Sequence, residues 1–94
     1  MIKSFASHET ELIWDGFFSK KYPPHIQALA LRKLRMLNSS RSMNDLMVPP
    51  SNKLEKLHGD RKNQHSIRIN GQWRICFVWS NGDCYHVEIM DYHH

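Results

Sequence analysis

Two Asn-Gly pairs, Asn70-Gly71 and Asn81-Gly82, bracket the run Trp73, Ile75, Phe77, Trp79, in which apolar residues recur at every second position. Period two reads as a strand with one buried face. Asn-Gly between such runs is the strongest short-range hairpin signal, because both residues tolerate positive φ. The segments Gln64–Asn70, Gln72–Trp79 and Asp83–Tyr92 are therefore expected as three successive antiparallel strands.

If both turns are two-residue loops, the register follows. Ser80 faces Asp83, Val78 faces Tyr85, Cys76 faces Val87 and Arg74 faces Ile89. Arg74 then shares a face with Asp91 and His93. Across the first turn Ile67 faces Arg74 and His65 faces Cys76, so His65 joins the Arg74 face while Arg68 and Tyr92 point away. Cys76 and Cys84 fall on opposite faces, which argues against a disulfide. A longer loop or a bulge would change each of these assignments.

The first half of the chain reads differently. Ile2–Ala6 alternates as a short strand, and Ser7 caps a helix with Glu9 and Glu11 in its first turn. Leu12, Ile13, Trp14, Phe17 and Phe18 give that helix a bulky inner side, and Gly16 ends or bends it. Pro23-Pro24 opens a second helix, with Ile26, Leu29, Ala30, Leu34 and Leu37 on one stripe and Gln27, Arg32, Lys33 and Arg35 outside it. Residues 41–52 connect to the basic stretch, and Pro49-Pro50 keeps the connector from becoming a long helix.

Ninety-four residues support one domain, 1–94, and 40% hydrophobic content is enough for a modest core. No apolar run approaches the roughly 20 residues that cross a bilayer. The opening MIKSFASHETE carries acids where a signal peptide needs an apolar run, so a cytoplasmic location is expected. Two cysteines are too few for a disulfide framework and lack metal-ligand spacing; no metal or cofactor is expected. The net charge is +4. Residues 53–74 hold six of the Lys/Arg residues and two of the acids, leaving seven of each sign elsewhere. The whole excess sits in one stretch, as a polyanion-binding surface or a solvated basic loop would have it.

The expected register collects Arg74, His65, His93 and Asp91 at one sheet edge, with His58 and Arg61 on the preceding loop. Arginine suits a phosphodiester because its charge is permanent and its donors are forked, and histidine exchanges protons near neutral pH. Each residue also has a plainer reading, such as a surface Arg74–Asp91 pair.

The words Leu57-His58-Gly59-Asp60-Arg61, Ser66-Ile67-Arg68, Trp73-Arg74-Ile75-Cys76-Phe77 and Asp91-Tyr92-His93, with the opening Met1–Phe5, resemble the HigB branch of the RelE/ParE toxin superfamily over essentially the whole chain. The resemblance implies an α+β, RelE-like microbial ribonuclease fold: β-α-α-β-β-β, with a mostly antiparallel sheet packed against two N-terminal helices. It implies a ribosome-dependent endoribonuclease that cuts mRNA to 2′,3′-cyclic phosphate and 5′-hydroxyl ends, using the substrate's own 2′-hydroxyl as nucleophile. It also implies a HigA-type helix-turn-helix antitoxin that represses the operon. Arg74 matches the family arginine that stabilises phosphate charge. Tyr92 and His93 match a terminal pair for proton transfer or base stacking, and Asp91 the aspartate beside them. His58 stands where some relatives have lysine, which leaves open whether His58, His65 or His93 moves the proton. Lys53, Lys56, Arg61, His65 and Arg68 are the candidate RNA contacts. Two other readings share the basic stretch: a non-catalytic RNA- or ribosome-binding module, and a ParE-like inhibitor of DNA gyrase.

Overall fold

Ser7 begins the first helix as expected, its hydroxyl accepting from the Thr10 amide at 3.0 Å. In the computed structural model, which describes residues 1–92, α1 runs His8–Trp14 and α2 runs Pro24–Ser39. Four strands follow: β1 (Glu55–Lys56), β2 (His65–Arg68), β3 (Trp73–Ser80) and β4 (Asp83–Asp91). They form one antiparallel sheet in the order β1-β2-β3-β4. The N-terminal segment adds parallel bridges at Ile2–Cys84 and Phe5–Val87 along the β4 edge, less than the full strand expected. The α+β architecture read from the sequence is present, and β1 arises in the stretch read as a basic loop.

Both helices pack on one face of the sheet. Ile13, Ile26, Ala30, Leu34 and Leu37 meet Ile67, Ile75, Phe77, Val87 and Ile89 in a single core. Phe77 is fully buried, so truncating it to alanine would cost about 3–5 kcal/mol. The buried Thr10 hydroxyl joins α1 to the sheet, accepting from the Ile89 amide at 3.0 Å and lying 3.1 Å from the Tyr22 hydroxyl.

The second turn is the two-residue loop the sequence predicts, with positive φ at Asn81 and Gly82 and Ser80 opposite Asp83. The expected register holds as far as Val78–Tyr85 and then slips. His86 adopts φ 54°, its amide donating to Ser4 Oγ at 2.9 Å, and two β4 residues oppose Phe77. Beyond this bulge Cys76 faces Glu88, Ile75 faces Ile89, Arg74 faces Met90 and Trp73 faces Asp91. The first turn is longer than expected. Asn70 Oδ1 accepts from the amides of Gln72 and Trp73, each at 2.8 Å, and the Ile69 amide donates to Trp73 O at 2.8 Å, closing a three-residue loop over 70–72. Arg68 therefore faces Arg74, Ile67 faces Ile75, Ser66 faces Cys76 and His65 faces Phe77.

Each slip moves side chains across the sheet. Arg74 shares its face with Arg68, Ser66 and Tyr92, not with Asp91 or His65. Cys76 and Cys84 still lie on opposite faces, and both are free. Two further expectations are corrected. Lys33 is buried on α2 because its ammonium donates to Asn52 Oδ1 at 2.6 Å, and burial with nearby Arg32 lowers its pKa. Phe17 and Phe18 are exposed, because Gly16 (φ 89°) turns the chain out of α1 before they can pack inward.

Candidate active site

The outer face of the sheet, away from the helices, carries an arginine that is almost completely buried. Arg74 is 7% exposed. Such a charge persists only where its donors are satisfied, and here several are. Nε donates to Ser66 Oγ at 2.7 Å, while Nη2 donates to Ser66 O at 3.2 Å and to the carbonyl of Lys53. Glu55 Oε1 lies 3.8 Å from Nε. The guanidinium carbon sits 5.4 Å from the centroid of the Tyr92 ring, within cation–π range. Ser66 and Arg74 are held on adjacent strands, and Lys53 and Glu55 arrive on the segment that pairs with β2 through Glu55–Ser66.

Two hollows share Tyr92 and Glu55 as lining, and Arg74 lines the smaller of them. The larger, about 580 Å³, is lined by residues including Glu55, Lys56, His58, Arg61, Ser66, Cys76, Asp91 and Tyr92. The smaller, about 380 Å³, is lined by residues including Lys53, Glu55, Arg68, Asn70, Arg74 and Tyr92. Arg61 projects from a 3-10 turn, Gly59–Arg61. Its Nη1 donates to Gln64 Oε1 at 2.9 Å and its Nη2 lies 3.4 Å from Glu88 Oε1. Burial pushes up the thiol pKa of Cys76, at the edge of the larger hollow, so it stays a neutral apolar contact rather than a nucleophile. Among the described residues no three of His, Cys, Asp or Glu converge in a metal-like group.

The family described as RelE-like toxin of type II toxin-antitoxin system HigB matches residues 4–93. The chain belongs to the HigB-like toxin family. Toxin HigB-1 of Vibrio cholerae is 40% identical over 60 residues, a match covering 64% of this chain and 63%, less than two thirds, of the Vibrio protein. Endoribonuclease HigB of Proteus vulgaris is 29% identical over 96 residues, covering 99% of this chain and all of that protein. The crystal structure of a YafQ mutant from E. coli has the same fold at TM-score 0.56 and 13% identity, covering 97% of this chain and 93% of that one. A toxin of the type II class has a protein antitoxin as its partner.

In this HigB-like toxin the sheet brings Arg74, Tyr92, His58, Arg61, Lys53, Lys56 and Arg68 to the two hollows. Asp91 reaches the rim from the opposite register position and accepts from Gln72 Nε2 at 3.2 Å. His65 is not in the group. Its ring stacks on Phe77 at 6.2 Å on the core side, with Nδ1 buried and unpartnered, and burial followed by Lys56 lowers its pKa. His93 lies outside the described residues. Sequence reasoning missed Ser66, Glu55 and Glu88, which hold the two arginines. The pairing of Ser66 with Cys76, set by the longer turn, is what places its hydroxyl against Arg74, and nothing in the serine itself signals that.

Proposed function

We propose that this HigB-like chain is a ribosome-dependent, metal-independent mRNA endoribonuclease that arrests translation in the cytoplasm. The observation that carries the reading is Arg74, locked between Ser66 and the Tyr92 ring at a basic hollow that shares Tyr92 with a larger one. A phosphodiester seated there meets a preorganised cation, with no side-chain rearrangement left to make during the reaction. The neighbouring hollows suit the nucleotides on either side, with Lys53, Lys56, Arg61 and Arg68 against phosphates and the Tyr92 ring available to a base.

The chemistry follows from RNA. The 2′-oxygen forms a bond to the adjacent phosphorus, the P–O5′ bond breaks, and the products are a 2′,3′-cyclic phosphate and a 5′-hydroxyl. The proton leaving the 2′-hydroxyl goes to a side chain at the pocket, and a proton reaches the departing 5′-oxygen. His58 and Asp91 line the hollow, and His93 remains a candidate in the same proposal. The nucleophile comes from the substrate, so neither serine nor metal is needed. A site without a fixed histidine pair fits an enzyme whose substrate is positioned by the ribosome. The partner is an antitoxin of the HigA type, a helix-turn-helix protein that also binds operator DNA. The likeness to Endoribonuclease HigB supports this reading over gyrase inhibition.

The test is expression in a bacterial host with primer extension on ribosome-bound mRNA. The wild type arrests growth and leaves new mRNA 5′ ends. Arg74→Ala, or removal of Tyr92 and His93, restores growth with the protein still folded. Undiminished toxicity in both variants removes the site assignment, and arrest without cleaved mRNA makes the chain a binding module.

A further inference from the structure

Phe17 and Phe18 are 65% and 62% exposed. Two adjacent rings left in water by so small a domain mark a contact surface, and the loop that carries them is built, not loose. The Phe17 amide donates to Leu12 O at 2.8 Å. Ser19, next along, is 1% exposed and fastened on every side. Its amide donates to Gln27 Oε1 at 3.1 Å, and Gln27 Nε2 donates back to Ser19 O at 2.7 Å and to Tyr22 O at 2.8 Å. Its hydroxyl donates to Glu9 Oε1 at 2.6 Å and accepts from the Lys21 amide at 3.1 Å. This network joins α1, the loop and α2, and holds both rings outward.

The rings border a hollow of about 260 Å³ whose far wall is Ala28 and Leu31 of α2. Its surroundings are cationic. Exposed Lys20 and Lys21 continue the loop, and Arg32 and Arg35 lie one turn beyond Ala28 and Leu31 on the same helix face. Asp15, beside Gly16, and Glu9, held by the Ser19 hydroxyl, are the acidic residues at this surface. A second copy of this chain would bring like charges together at such a contact. The helices cover the core face of the sheet and the Arg74 hollows open on the outer face, so the cations here are not part of the RNA site. A type II toxin, in contrast, requires a protein partner.

We infer that the Phe17–Phe18 hollow is where the antitoxin docks. The occupant is a segment with large aliphatic side chains toward the two rings and acidic side chains toward Lys20, Lys21, Arg32 and Arg35. The inference rests on the family's antitoxin partnership and not on the RNA chemistry. In the experiment, the toxin and the antitoxin encoded with it are purified separately and titrated calorimetrically at low and high salt. Phe17→Ser and Phe18→Ser are each expected to weaken binding by at least about 30-fold, as central aromatic anchors do. The pair Lys20→Glu with Arg32→Glu weakens binding at low salt and flattens its salt dependence. Arg74→Lys, on the other side of the sheet, binds as the wild type does. Phenylalanine variants with wild-type affinity overturn the proposal, as does charge-reversal binding with unchanged affinity and salt dependence. So does a free toxin that is dimeric until Phe18→Ser makes it monomeric, because a second copy is then the occupant. A wild type that cleaves no RNA counts against the ribonuclease reading alone, since the titration measures antitoxin binding without any cleavage step.

Discussion

The Arg74 guanidinium and the Tyr92 ring face one another at 5.4 Å, and the contact exists because β4 bulges at His86. Without the extra β4 residue, Tyr92 would stand on the core side and Asp91 in its place. The bulge thus decides which of two adjacent C-terminal side chains meets the arginine.

That contact separates two roles for Tyr92. If the ring is what matters, Tyr92→Phe keeps mRNA cleavage within about tenfold of wild type, while Tyr92→Ala loses about 100-fold or more. Single-turnover cleavage of ribosome-bound mRNA measures both. A Phe variant as inactive as the Ala variant would assign Tyr92 to proton transfer instead.

Ser66 is fully buried and accepts the shortest of the side-chain bonds Arg74 makes to it. Ser66→Ala leaves a buried guanidinium short of one acceptor, at a cost of about 1.5–3 kcal/mol. For a domain of this size that is roughly a 6–24 °C fall in Tm. Calorimetry gives the shift, and cleavage should fall with it because Arg74 loses its fixed orientation.

Arg61 is held by Glu88 at 3.4 Å in the larger hollow, a half-exposed pair of modest strength. An RNA phosphate must compete with that carboxylate. Glu88→Gln is expected to tighten RNA binding by about 3–10-fold at low salt, and the gain should shrink as salt rises. Fluorescence titration with a short single-stranded RNA checks this; weaker binding would show that Glu88 positions Arg61 and does not restrain it.

His65 gives the fold a pH dependence. Burial lowers its pKa below the ordinary 6.5, so the unfolded chain takes up the proton first as the solution is acidified. Its contribution is intact above pH about 6.5 and is lost as pH falls from there through the lowered folded value. Urea unfolding at pH 7.5 and 5 should show the wild type losing more stability than His65→Leu over that interval. An equal loss would mean the ring is not buried against Phe77.

The sequence reading succeeded where chemistry dictates backbone. Asn81-Gly82 demands positive φ at both positions, and the hairpin it makes is the one expected. It failed where a side chain took over that work. Asn70 uses its carboxamide to accept two amides, stretching the first turn to three residues, and His86 adopts a left-handed conformation with no glycine to announce it. Since the side-chain period is two, these local events reversed the faces of His65, Arg68, Asp91 and Tyr92. Lys33 escaped for another reason: its partner Asn52 is far along the chain, beyond the reach of helical periodicity. Arg74 was legible as a site residue, whereas its burial depends on Ser66 and Lys53, which only the folded register brings close.

The most direct measurement compares wild type with Arg74→Lys on ribosome-bound mRNA, reading the chemistry of the cut ends by mass spectrometry. Lysine keeps the charge and loses the fork that Ser66 and the Lys53 carbonyl hold. The wild type should leave 2′,3′-cyclic phosphate and 5′-hydroxyl ends, with cleavage at least about 100-fold slower in Arg74→Lys at an unchanged far-UV circular dichroism spectrum. Cleavage by Arg74→Lys at the wild-type rate, or wild-type ends carrying a 5′-phosphate, would contradict the account.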